Sequence, residues 1–197
     1  MSTLRTQKVT PLDGETNLIL GDSGDTITIP AGATITNSGT ATGFGKVVQV
    51  VNVQSGALIT TTTVLPSFDD TIPQNTEGVE LMTLAITPTN ASNILEITVV
   101  TNLSLSVATS SHTHVTALFQ DSTADALASM TQSLYVANGM SNTTFKHRMT
   151  AGTVSETTFK VRGGSNMAGT TSFNGSSGAR VNGGTMASSI TITEIAV

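Results

Sequence analysis

The sequence has no cysteine and no tryptophan, a single tyrosine, and few charged residues of either sign. The missing cysteine excludes a disulfide framework, thiolate zinc sites and a cysteine nucleophile. Charged residues make up 11% of the 197 residues, less than half of the roughly 25% usual for a globular chain. A net charge of −5 lacks the basic footprint that nucleic-acid binding requires. No apolar run approaches the roughly 18 residues of a membrane helix. Met1–Leu12 lacks the basic and then apolar run of a secretion leader. These absences predict a chain made in a cytoplasm, with no nucleic-acid partner and no membrane insertion.

What is present is β-forming. Hydrophobic residues reach 38%, too many for a disordered chain. Polarity comes from Thr, Ser, Asn and Gly, and β-branched Thr suits a pleated surface. A chain with so few charges covers its outer faces with hydroxyls or hides surface against copies of itself.

Residues 1–45 form a separate region. Thr16–Leu20, Thr26–Ile29 and Ala33–Thr36 read as short strands, broken by Gly21–Gly24 and Pro30–Gly32. They carry too few large apolar residues to bury a core alone, so the segment either winds with other copies or is a tail. Asn37–Gly45 is small and Gly-rich and reads as a linker. A compact domain is expected over residues 46–197. Its strand candidates are Lys46–Val53, Ala57–Val64, Glu80–Thr87, Leu95–Thr101, His114–Gln120, Thr143–Thr150, Thr157–Arg162 and Ser189–Ile195. Weaker ones are Leu103–Val107, Gln132–Ala137 and Thr170–Phe173. Such a series in about 150 residues predicts an all-β sandwich or jelly roll. Asp121–Met130 reads as a helical turn or a loop.

Thr143-Thr144-Phe145-Lys146 recurs as Thr157-Thr158-Phe159-Lys160. Paired as a hairpin centred near Thr153, the two strands would place Lys146, Arg148, Lys160 and Arg162 on one outer face. That face is a candidate site for anionic glycans. Its structural reading is a face neutralised by the acidic stretch Asp69, Asp70, Glu77 and Glu80. The Gly-rich loops between Gly163 and Gly184 add Ser165, Asn166, Asn174, Ser176 and Arg180 as receptor-contact candidates, since adaptable loops on a rigid sandwich suit recognition. They equally suit plain hairpin turns.

Catalytic and metal signals are sparse. His112-Thr113-His114 would point two imidazoles to one face of a strand, a remote metal site at most, so the expectation is no metal and no cofactor. His147 is expected in a core-facing slot. Asp69/Asp70 and Asp121/Asp125 are available to a glycoside hydrolase, but turn and cap roles suit them better. There is no Gly-x-Ser-x-Gly elbow and no phosphate loop.

Several blocks, in order, resemble a domain widespread in tail-fibre-like proteins of tailed bacteriophages, especially marine ones. They include Lys46–Asn52, Asp70–Gly78, Met82–Pro88, Ala117–Ser122, Met149–Thr153 and Met186–Ile195. Gly24–Ala33 resembles the lead-in of such proteins. The resemblance implies an intertwined homotrimer with a short fibrous N-terminal β segment and a jelly-roll head, similar in plan to complement-type and tumour-necrosis-factor-like trimers. It implies a non-enzymatic virion protein that docks on other phage virion proteins through residues 1–45 and recognises a host-surface glycan or protein. The rival readings are a capsid-attached head fibre or decoration protein, and a polysaccharide depolymerase.

Overall fold

The computed structural model describes residues 47–107 and 111–197, together with Thr26 and Gly32. The chain divides into two compact units, Met1–Phe44 and Gly45–Val197. The strands expected within residues 1–45 lie outside the described residues.

The second unit is a β-sandwich. Its strands are β1 (Val47–Ser55), β2 (Ile59–Thr61), β3 (Val79–Ile86), β4 (Ile94–Ser106), β5 (His112–Gln120) and β6 (Ala128–Leu134). They continue with β7 (Met140–Thr150), β8 (Thr157–Ser165), β9 (Thr170–Phe173), β10 (Gly175–Ser176), β11 (Ala179–Arg180) and β12 (Ser188–Ile195). One sheet carries β1-β12-β4, with β7 on the far side of β4; β9 and then β2 extend the near side. The other runs β3-β8-β5-β6. The long-range pairs are nested: β1 with β12, β3 with β8, β4 with β7, β5 with β6. A chain folded double on itself and wrapped into two sheets is a jelly roll.

Alternation explains the faces. In β4, Leu95, Ile97, Val99, Leu103 and Leu105 are buried with Thr101 between them. Leu95, Ile97, Val99 and Leu103 meet Leu118, Phe159 and Val161 of the opposite sheet in one core. Ile190 and Ile192 of β12 join it, with Thr191 and Thr193 on the other face. Thr101 of β4 bonds Thr143 of β7 at 2.6 Å and Thr116 of β5 at 2.8 Å, so three buried hydroxyls link the two sheets by satisfying one another.

The two segments expected as Leu95–Thr101 and Leu103–Val107 are one 13-residue strand, β4. At Asn102 its neighbour changes from β12 to β9. The Asn102 amide donates to Ser188 Oγ (3.0 Å) and its side chain to the Ala187 carbonyl (3.0 Å), filling the gap between the two partners. Strand β6 begins at Ala128 rather than Gln132, and the possible helical turn at Asp121–Met130 is a turn leading into it.

The expected Thr143–Thr150 with Thr157–Arg162 hairpin does not form. Strand β7 pairs with β4, whereas β8 pairs with β3 and β5 in the other sheet. The break at Ala151–Glu156 is a crossing between sheets, held by Ala151 and Gly152 amides donating to the Asn93 and Ala91 carbonyls. Phe145 and Phe159 do both face the core, but from opposite sides of it.

Candidate functional site

The four basic residues expected on one face are therefore divided. Even-numbered positions point outward on both strands, so Lys146 and Arg148 lie on one side of the sandwich and Lys160 and Arg162 on the other. Lys146 Nζ bonds Glu96 Oε1 at 2.6 Å, and this contact, with Arg148 nearby, holds the Glu96 carboxyl below the usual carboxylate range. Arg162 is spent on backbone: it donates to the Glu77 carbonyl (2.8 Å) and the Gly78 carbonyl (3.0 Å). The four residues form no single basic face, because the sheets chosen by β7 and β8 differ.

The Gly-rich candidates also separate. Ser165 is buried and donates to the Thr113 carbonyl at 2.9 Å. Asn166 accepts from the Thr113 amide at 2.8 Å. Asn174 is fully buried; it donates to the Ser55 carbonyl (2.6 Å) and accepts from Ser188 Oγ (2.7 Å). Ser165 and Asn174 thus act inside the fold, since a side chain with no exposed surface offers none to a receptor. Ser176 and Arg180 belong to the small β10–β11 hairpin. Its two-residue turn, Ser177–Gly178, has φ of 50° and 76°, the left-handed pair that tight hairpins need. Arg180 is exposed there, beside Gly184.

His112 and His114 do share a face of β5, with ring centroids 5.1 Å apart. That face points into the sandwich, and both are buried. His114 Nδ1 contacts Ser141 Oγ, while His114 Nε2 and both His112 nitrogens have no hydrogen-bond partner among the described residues. Burial, and secondarily His112, push His114 down to about 4; burial also lowers His112 and His147. Burial thus favours the neutral form of these rings. Among the described residues no group of three or more His, Asp or Glu side chains is placed to hold a metal.

The carboxylates considered for hydrolysis have structural partners in part. Asp121 accepts from Thr157 Oγ1 (2.9 Å) and the Thr158 amide (2.8 Å). Asp125 accepts from Gln74 Nε2 (2.8 Å).

Sequence reasoning missed a cleft of about 470 Å³ on the outer face of the β3-β8-β5-β6 sheet. The segment Pro66–Pro73 arches over strands β5 and β6. One foot is tied by Ser67 Oγ to Thr113 Oγ1 at 2.7 Å. The other is tied by the Ala126 amide to the Pro73 carbonyl (3.0 Å) and the Asn75 amide to the Ala124 carbonyl (2.8 Å). Ile72, Val115 and Leu127 supply apolar wall, and Asp69 and Asp70 line the opening. The signal was two prolines bracketing a run that contains an aromatic residue and two acids. Local pattern assigns these acids to charge balance, to turns and caps or to a hydrolase pair, and none of these readings reveals a cleft.

No family model matches the chain, and no curated protein does. Among solved structures it is similar to the EclA C-terminal domain, described as a sugar-binding protein (18% identity, 73% of this chain and 82% of that one, TM-score 0.34). It is also similar to a disulfide-linked pilus of Bacillus endospore appendages (14%, 80% and 98%, TM-score 0.29). A third is the infectious bursal disease virus Gx strain (12%, 86% and 42%, TM-score 0.34).

Proposed function

We propose that this chain is a non-enzymatic, homotrimeric structural fibre protein of a tailed-bacteriophage virion. In this reading residues 46–197 form the head that meets the host surface, and residues 1–45 dock on other virion proteins. The observation that carries it is the nested pairing of β1 with β12 through β5 with β6, the jelly roll that the phage-fibre resemblance implies. The scarcity of charge supports assembly. Leu127–Phe145, which includes the edge strand β6, contains no charged residue. It exposes Met130, Tyr135, Val136 and Met140. Edge strands of free monomers are usually guarded by charge or proline. A trimer presents three equivalent sites, so weak single contacts act together.

Native mass spectrometry on the full chain, and on a chain shortened to begin at Lys46, tests the assembly. The expected result is three times the 20.2 kDa subunit mass for the full chain. A trimer in both places the main interface in the head; a monomer in both overturns the reading.

A further inference from the structure

We infer that the cleft beneath the Pro66–Pro73 arch is a binding site for a neutral, hydroxyl-rich oligosaccharide. Three observations converge there. The arch is fixed at both feet, by Ser67 on Thr113 and by Pro73 on Ala126, so the space under it is built into the fold. Groups that line it keep unused hydrogen-bonding capacity: the Asp70 carboxylate and the hydroxyls of Thr71, Ser129 and Thr131 have no partner among the described residues. Asp69 uses one oxygen on the Thr71 amide at 3.3 Å and keeps the other.

The chemistry of this set selects the ligand. Carboxylates accept hydrogen bonds from vicinal hydroxyls, and the Thr and Ser hydroxyls both donate and accept. The apolar wall of Ile72, Val115 and Leu127 offers a surface for the C–H face of a sugar ring. No Lys, Arg or His lines the cleft, so nothing there would compensate an anionic sugar against two carboxylates. The ligand is therefore of the opposite class from the one that the basic quartet predicted. Phe68, in the same arch, is 77% exposed, an aromatic surface available to a longer glycan. This inference narrows the host-surface reading and rests on it only for what binding achieves; the binding itself does not depend on trimer formation.

The labelled full-length chain is first applied to a glycan microarray holding neutral, sialylated, sulfated and uronate oligosaccharides. The best neutral ligand is then titrated into the isotope-labelled chain and followed by amide NMR. The expected result is saturable binding of a neutral glycan, on the order of millimolar per site, with shifts centred on Asp69–Thr71 and Ser129–Thr131. The double variant Asp70→Asn, Thr131→Val should bind at least tenfold more weakly with an unchanged melting temperature, because both positions are exposed. Absence of any neutral ligand overturns the inference. So do shifts centred on the Ser177–Arg180 hairpin, equal binding of uronates, or shifts produced by calcium chloride alone. A trimer with a silent cleft would sink this inference and leave the fibre reading standing; a monomer that binds would do the reverse.

Discussion

Two buried ionisable clusters set the acid response at the scale of single residues. His114 has a folded pKa of about 4, below the roughly 6.5 of an exposed imidazole. The unfolded chain therefore binds more protons between those values, and stability falls as pH drops from about 6.5 to about 4. One such group accounts for about 3 kcal/mol across that window. Urea unfolding followed at several pH values should show this loss, and His114→Gln should flatten most of it. An unchanged slope in the variant would mean that the ring is already solvated. Glu194 is the second cluster. Burial raises its pKa, but bonds from Asn93 (2.6 Å), Gln49 (2.6 Å) and both the amide and hydroxyl of Thr89 (2.8 Å each) outweigh that and hold it at about 2. Because the folded pKa is depressed, this stabilisation is present above about 4.5 and is lost as pH falls toward 2. Glu194→Ala at pH 7 should cost about 3 kcal/mol, since it leaves the buried Asn93 amide and the partly buried bonds from Gln49 and Thr89 without their acceptor. A loss below about 1 kcal/mol would show that water replaces the carboxylate.

Among the elements, the decisive features are places where backbones meet. A Cβ on Gly56, between β1 and β2, would lie 2.1 Å from the Gly184 carbonyl oxygen. A Cβ on Gly163 in β8 would meet the Leu81 side-chain terminus at 2.6 Å. A methyl end can rotate away, whereas a carbonyl in a turn cannot move without its neighbours. Gly56→Ala should therefore destabilise by about 3 kcal/mol, and Gly163→Ala by about 1 kcal/mol. Thermal melting of the two variants checks the order, and a reversed order would refute this account. Most strands were readable from period-two alternation, as in Met82, Leu84 and Ile86 of β3 or Ile190 and Ile192 of β12. The ends were not. Asn102 reads as a break, but its side chain carries β4 through the change of partners. Asn174 and Ser165 read as adaptable loop residues because Asn and Ser next to Gly usually are. Their burial comes from distant carbonyls, at Ser55 and Thr113, that no local pattern reveals.

For the whole molecule, the division at Phe44 and Gly45 predicts that the sandwich holds its own core. A chain beginning at Lys46 should keep its β circular-dichroism spectrum and a cooperative melt. Loss of the cooperative transition would mean that residues 1–45 complete the fold. Composition and alternation by themselves determined the all-β class, the absence of thiol chemistry and the inward faces of β3, β8 and β12, because these depend on local period and residue type. Tertiary structure alone decided which strands pair. The repeated Thr-Thr-Phe-Lys strands look like each other's partners, yet the eleven positions of β4 facing β7 offer a longer ladder, and β8 is taken by β3 and β5. That choice divided the basic residues between two faces, buried the histidine pair, and left the Pro66–Pro73 arch standing over its cleft. Such outcomes depend on contacts between residues far apart in the chain, which alternation within a strand does not encode.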